Sequence, residues 1–201
     1  MFYRPGQDKH GLPYNPFKAM IAPRPIGWIS TLDSEGRANL APYSFFNAVS
    51  DVPPVLFFSS LHDKTGREQR KDTLRNIEDT GEFVHNLVSV RDMEAMNATS
   101  GSYAYGEDEF EIAGIEKAPS RLVAPPRVAT AAASMECKLL QFVDIPGNYT
   151  AVLGEVIGIH IHEEYLTDEG IFDLSKVQPL ARLGYQDYTS IEHMFSLRRP
   201  K

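Results

Sequence analysis

Apolar residues occur in short bursts with a period close to two, separated by clusters of Pro, Gly and Asp, which is the pattern of a strand-rich chain. Ile26-Gly27-Trp28-Ile29-Ser30-Thr31 predicts a strand, Asp33-Ser34-Glu35-Gly36 a turn with Gly at a positive-φ position, and Arg37 to Ala41 an antiparallel return. A further strand is expected over Phe45 to Val49. The chain then breaks at Asp51-Val52-Pro53-Pro54, and Val55 to Ser60 predicts a buried strand ending in two hydroxyls. Asp72 or Thr73 can cap a short helix with Leu74 and Ile77 on one face and Gly81 as its stop, followed by a strand from Glu82 to Val88. Ser89 and Asp92 form a capping-box pattern ahead of a second short helix whose buried stripe would be Met93 and Met96.

Residues 99 to 127 are acidic and punctuated by Gly and Pro, predicting a long excursion anchored by Phe110 and Ile112. Two longer strands follow, Ser134 to Val143 and Tyr149 to His162, joined by Ile145-Pro146-Gly147-Asn148. Met135, Cys137 and Leu139 alternate with polar residues in the first; Leu153, Ile157, Ile159 and Ile161 share one face of the second. Many strands, few short helices and no long parallel crossovers imply a mainly β protein, a closed antiparallel barrel with short flanking helices. Residues 1–201 read as one domain, with 1–23 an irregular arm and 189–201 a tail.

Composition narrows the function classes. Of 201 residues, 42% are hydrophobic and 23% charged, ordinary values for a globular chain. The net charge of -7 argues against a broad cationic surface for nucleic acid or anionic lipid, so any anionic ligand needs a local basic cluster. Cys137 is the single cysteine, which rules out an internal disulfide and a multi-cysteine metal site, and its apolar neighbours at i ± 2 mark it as a buried, inert thiol. No apolar run suits a signal peptide or a membrane span, so a soluble, cytoplasmic protein is expected.

Three constellations could carry chemistry. Ser59 and Ser60 end a strand, and Lys64, Arg67, Arg70 and Lys71 crowd ahead of the helix begun by Asp72 or Thr73; cations, hydroxyls and a helix entrance suit a phosphate, although a solvated basic loop would look the same. The stretch Asn39-Leu40-Ala41-Pro42-Tyr43-Ser44-Phe45-Phe46-Asn47 could hydrogen-bond and face a flat heterocycle, or simply connect strands. His160 and His162 share a strand face, compatible with a metal-dependent barrel if His85 or His193 joined them, or with a wet strand face. No G-x-G-x-x-G, P-loop or G-x-S-x-G pattern occurs.

Taken in order, Ala22-Pro23-Arg24-Pro25-Ile26-Gly27-Trp28-Ile29-Ser30-Thr31, Gly36-Arg37-Ala38-Asn39-Leu40-Ala41-Pro42-Tyr43-Ser44-Phe45-Phe46, Pro53-Pro54, Lys71-Asp72-Thr73 and Arg182-Leu183-Gly184 resemble the flavin reductase-like family of FMN-binding split-barrel proteins. The resemblance implies a homodimer holding FMN non-covalently near the subunit interface. It implies that the Asn39 to Asn47 segment, with Pro42, Tyr43, Ser44 and Phe45, runs along the isoalloxazine. Ser59, Lys71, Asp72 and Thr73 would take the phosphate end, beside Ser60 and Arg70 of the basic constellation, and Thr31 would add a contact. Arg182 would approach the flavin as the catalytic cation. The implied activity is hydride transfer from NAD(P)H to flavin, then electron delivery to free flavin, an oxygenase component, iron or oxygen; a non-enzymatic FMN-binding electron carrier or sensor is the other reading. Two positions depart from the family pattern: Gly147-Asn148-Tyr149 lacks the His that short relatives carry, and Gly184 is followed by Tyr185 rather than Gly.

Overall fold

Seven strands make one antiparallel sheet, and its outermost strands are consecutive in the chain. The computed structural model describes residues 1–63 and 70–200. After a one-turn helix α1 (Phe17–Met20) and a two-residue strand β1 (Arg24–Pro25) come β2 (Gly27–Leu32), β3 (Ala38–Tyr43), β4 (Phe46–Asp51), β5 (Pro54–Leu61), helix α2 (Asp72–Thr80) and β6 (Glu82–Leu87). A 3-10 turn (Val90–Asp92) leads into α3 (Met93–Ala98), then α4 (Glu109–Ile112), the short pair β7 (Lys117–Ala118) and β8 (Arg127–Val128), and the long hairpin β9 (Ala133–Ile145) and β10 (Tyr149–Ile161). Helix α5 (Leu174–Val177), β11 (Leu180–Arg182) and β12 (Tyr188–Ser190) complete the order.

The large sheet runs β3-β2-β6-β9-β10-β5-β4. Only Ser44 and Phe45 separate β3 from β4, so the sheet must roll until its two ends meet. Across that seam the Tyr43 and Phe58 rings lie 4.8 Å apart, while Ser59 N–H donates to the Phe45 carbonyl at 2.8 Å and carries the β4–β5 ladder one residue further. No ladder joins β3 to β4 among the described residues. The expected closed barrel is therefore a rolled sheet whose hydrogen bonding stays open along one line.

Two cores result. Inside the roll, Ile29, Tyr43, Leu56, Phe58, Phe83, Cys137 and Val152 pack with Leu74 and Ile77 of α2, the helix face the spacing predicted. Outside it, Trp28, Leu40, Met96, Phe110, Val128 and Leu180 pack the excursion and α3 against the other face of β2 and β3. Trp28 and Ile29 are neighbours on opposite faces, 1% and 0% exposed, because this end of the sheet is covered on both sides. Gly81 ends α2 at φ 71°, and Ser89 and Asp92 form the expected reciprocal cap.

The structure corrects several sequence expectations. Lys71, not Asp72 or Thr73, occupies the cap position of α2. Met96 and Phe110 are buried, but Met93 and Ile112 are exposed. On β10 the inward residues are Val152, Gly154 and Val156, whereas Ile159 and Ile161 face outward. Register shifts against β9 at Leu153/Gly154 and Val156/Gly158 re-aim that strand, which a plain period-two count cannot see. The C-terminal segment also supplies strands, since β1, β11 and β12 form their own sheet.

Gly154 sits where a Cβ would run into the Phe83 ring. Gly154→Ala is expected to cost about 1–3 kcal/mol of unfolding free energy through overpacking. Denaturant titration checks this, and in a double-mutant cycle with Phe83→Leu the two losses should add to less than their sum.

Candidate functional site

Helix α2 rests on β2 and β3, and that packing brings together two stretches thirty residues apart in the chain. Asn39 Nδ2 donates to Thr73 Oγ1 at 2.8 Å, and Asn76 Nδ2 donates to Thr31 Oγ1 at 3.0 Å. Asn39, Pro42 and Tyr43 from β3 face Lys71, Asp72 and Thr73 from the helix entrance across a cleft of about 210 Å³. The polar loop from Thr99 to Tyr103 and Glu109 make the remaining wall. The entrance of α2 has Lys71 at its cap position with no side-chain capping bond, so it carries the positive end of the helix dipole into the cleft.

Electrostatics within the cleft are mixed. The Lys71 ammonium lies 5.7 Å from the centre of the Tyr43 ring, and the Tyr43 hydroxyl reaches Thr73. Burial pushes the Tyr43 phenol above its ordinary range and keeps it protonated. Glu109 Oε2 accepts from Leu40 N–H at 2.9 Å, filling a hydrogen-bonding position on the free edge of β3. Burial, with Asp72 nearby, raises this carboxyl to about 7.

The other anticipated site residues are distributed around this cleft. Thr31 is 0% exposed and buttresses the wall from behind. Ser44 lines a second cleft of about 370 Å³ that shares Pro42 and Ser100 with the first and also contains Arg182. Phe45 lies at the seam, with the Lys18 ammonium 5.7 Å from its centre and the Tyr149 ring 6.4 Å away. Asn47, on β4, binds the following Ala48 N–H through its side chain at 2.8 Å. Ser59 and Ser60 alternate in and out of the sheet; Ser60 is the inward one, with a buried hydroxyl that has no hydrogen-bond partner among the described residues. Arg70 is ion-paired with Glu78 and lies over the Phe142 ring. Lys64 and Arg67 fall outside the described residues.

The histidine pair has another occupation. His160 Nε2 bonds the carboxylate of Glu136, which also accepts N–H groups from Arg121, Leu122 and Val123 at 2.8, 2.6 and 3.0 Å. That fully buried carboxylate pins the end of the excursion to β9, and among the described residues no group of His, Cys, Asp and Glu is arranged to hold a metal ion. Sequence reasoning missed Glu109 and the Thr99 to Tyr103 loop. The hydroxyl-rich run Thr99-Ser100-Gly101-Ser102-Tyr103 was the available signal, and a Cβ at Gly101 would sit 2.7 Å from the Tyr103 ring that folds back over it.

The chain is similar to known proteins along most of its length. The Flavin reductase like domain family model matches residues 20–183. An uncharacterized protein of Aquifex aeolicus is 39% identical over 84% of this chain and 85% of its own length. The crystal structure of nitrilotriacetate monooxygenase component B from Bacillus cereus superposes with a TM-score of 0.88 at 29% identity, covering 98% of each chain. The 2-nitrobenzoate 2-nitroreductase NbaA of Pseudomonas fluorescens gives a TM-score of 0.86 at 29% identity, covering 100% of this chain and 96% of that one.

Glu109 has a titratable counterpart in the core. His85, 3% exposed and stacked on Phe46 at 4.5 Å, is pushed down to about 4 by burial. As pH falls from 6.5 toward 4 the unfolded chain protonates this residue and the folded one does not, so stability drops. As pH rises from 4.5 toward 7 the unfolded chain ionises Glu109 and the folded one does not, so stability again drops. The two slopes oppose each other between pH 4.5 and 6.5. Glu109→Gln keeps the acceptor for Leu40 and removes one slope, so its unfolding free energy relative to the parent should climb by up to about 1.4 kcal/mol per pH unit across that window. Parallel pH profiles in urea titrations would place the Glu109 carboxyl at an ordinary carboxylate value.

Proposed function

The chain belongs to the flavin reductase-like family, and from that premise we propose that it is an FMN-dependent oxidoreductase that takes hydride from NAD(P)H and passes electrons to a second substrate or protein. The observation that carries this reading is the meeting of the Asn39 to Tyr43 strand with the Lys71-Asp72-Thr73 helix entrance in one cleft. Its residues fit FMN. A cation, a helix N-terminus and the hydroxyl of Thr73 suit a phosphate. The β3 wall, with Pro42 and Tyr43, suits the flat ring. Bound there, FMN supplies the hydride acceptance and electron storage that no side chain offers.

The protein's own contribution is binding and orientation. Lys71 and the entrance of α2 hold the phosphate. Asn39 is fixed in its rotamer by Thr73, and Tyr43 stays neutral, so these two groups keep one hydrogen-bonding pattern across the working pH range. Glu109 is largely protonated below about 7, which limits its repulsion of a phosphate. The chain carries no dinucleotide-binding fingerprint, so NAD(P)H lies directly over the flavin cleft with few contacts and modest affinity. Likeness to component B of a monooxygenase and to a nitroreductase supports onward electron transfer, to an oxygenase partner or to a small acceptor.

A second subunit completes the site. The cleft of about 210 Å³ falls below the roughly 300–1,000 Å³ of usual small-molecule sites. Among the described residues no strand pairs with the outer edge of β4, and Val49 and Val52 beside it are 57% and 87% exposed, so a homodimer through this edge covers apolar surface and walls in the flavin. Action in the cytoplasm belongs to this reading; among the described residues no helix is long and apolar enough to cross a membrane.

Lys71→Ala is expected to weaken FMN binding by about 1.5–3 kcal/mol, the share of a charge-assisted hydrogen bond, and to leave riboflavin binding unchanged. Flavin fluorescence titration measures both; equal losses would move the phosphate elsewhere. The FMN-loaded protein should oxidise NADH or NADPH in steady state, and a yellow protein inert to both would be a carrier. Light scattering should give a dimer, and a monomer that binds FMN tightly would remove the second wall from the site.

A further inference from the structure

The second cleft collects cations without carboxylates. Lys18, Arg24 and Arg182 all line it, beside Tyr185 and Tyr188. Arg24 and Arg182 stand directly opposite each other in the β1–β11 ladder, an arrangement that costs stability when both partners carry the same charge. Among the described residues none of the three is ion-paired. The Arg24 guanidinium is spent on the backbone carbonyls of Lys18, Ile21 at 2.7 Å and Leu183 at 2.7 Å. Arg182 donates to the Tyr185 carbonyl at 2.5 Å and lies 4.3 Å from the centre of the Tyr188 ring. Glu94 lines a neighbouring groove that shares Arg182, without an ion pair between them among the described residues.

Neutral carbonyls satisfy hydrogen bonds but leave the positive potential in place, and in a chain of net charge -7 this concentration of uncompensated cations is a local exception. Burial and the facing Arg182 both pull Arg24 below its ordinary pKa, the mark of a charge short of counter-charge. We propose that this cleft is the recognition site for a carboxylate-bearing aromatic electron acceptor, whose carboxylate is held by Lys18 and Arg182 in the field of Arg24 and whose ring lies between the Tyr185 and Tyr188 side chains. The cleft's volume of about 370 Å³ lies at the small end of the range of roughly 300–1,000 Å³, suited to a one- or two-ring acid. Its shared walls with the first cleft, Pro42 and Ser100, put a bound acid beside the cofactor position, so its role as electron acceptor rests on the reading above.

The test is calorimetric titration of the full chain, with and without FMN, using benzoate and its neutral isostere benzamide. Benzoate should bind more tightly than benzamide, with an affinity that falls as salt rises. Lys18→Gln and Arg182→Gln should each weaken benzoate about tenfold and leave benzamide unchanged. Lys18 is exposed on the arm, so its variant reports on the site even if Arg182→Gln lowers the melting temperature. Benzoate binding no tighter than benzamide, or unaffected by Lys18→Gln, overturns the proposal. ADP competing with benzoate through the same two cations and binding more tightly would assign the cleft to a dinucleotide and overturn it as well. A chain that fails to hold FMN but binds benzoate in a Lys18- and Arg182-dependent way retains the anion site and defeats only the cofactor reading.

Discussion

Two residues, Ser44 and Phe45, join the strands at opposite ends of a seven-stranded sheet, and the rest of the molecule follows from that short tether. A sheet whose ends are tied so closely has to curl, and right-handed twist lets it do so. The ends meet through side chains rather than a ladder, so among the described residues β3 keeps a free edge. That edge is where the excursion docks, through the Glu109 carboxyl on Leu40 N–H, and where α2 brings its entrance. The first cleft exists because the roll does not seal.

The strands, their order along the chain and the α2 stripe were legible because each rests on local information: alternation, a Pro-Pro break, a Gly at a helix end. The site was legible as two separate stretches. Their union depends on Asn39 reaching Thr73 and Asn76 reaching Thr31, contacts between residues whose types announce polarity without a partner. Non-local facts stayed hidden for the same reason. Nothing near Glu109 distinguishes it from the other acidic residues of the excursion, and the face of β10 was misread because bulges opposite β9 shift its register. The β1-β11-β12 sheet is too short to leave a periodic trace.

Histidine gives a sharper lesson. His160 and His162 satisfied a metal pattern by spacing, yet the structure uses His160 to support Glu136, which itself gathers three backbone N–H groups. His85 drew attention only as a third ligand and is instead a neutral ring pressed on Phe46 inside the core. Each imidazole was assigned by what surrounds it, and sequence supplies those surroundings only when they are adjacent.

Gly184 admits no Cβ, because the Ala19 Cα would lie 2.9 Å from it. The N-terminal arm can therefore lie flush on the C-terminal segment, and the carbonyls of Lys18 and Ile21 can reach the Arg24 guanidinium. Any larger residue at 184 would lift the arm and dissolve that binding of the two chain ends, while the rolled sheet, built from residues between them, would lose none of its ladder. A change at 184 would therefore act on the wall of the second cleft that the two chain ends build together, and would reach the first cleft only through Pro42 and Ser100, which line both.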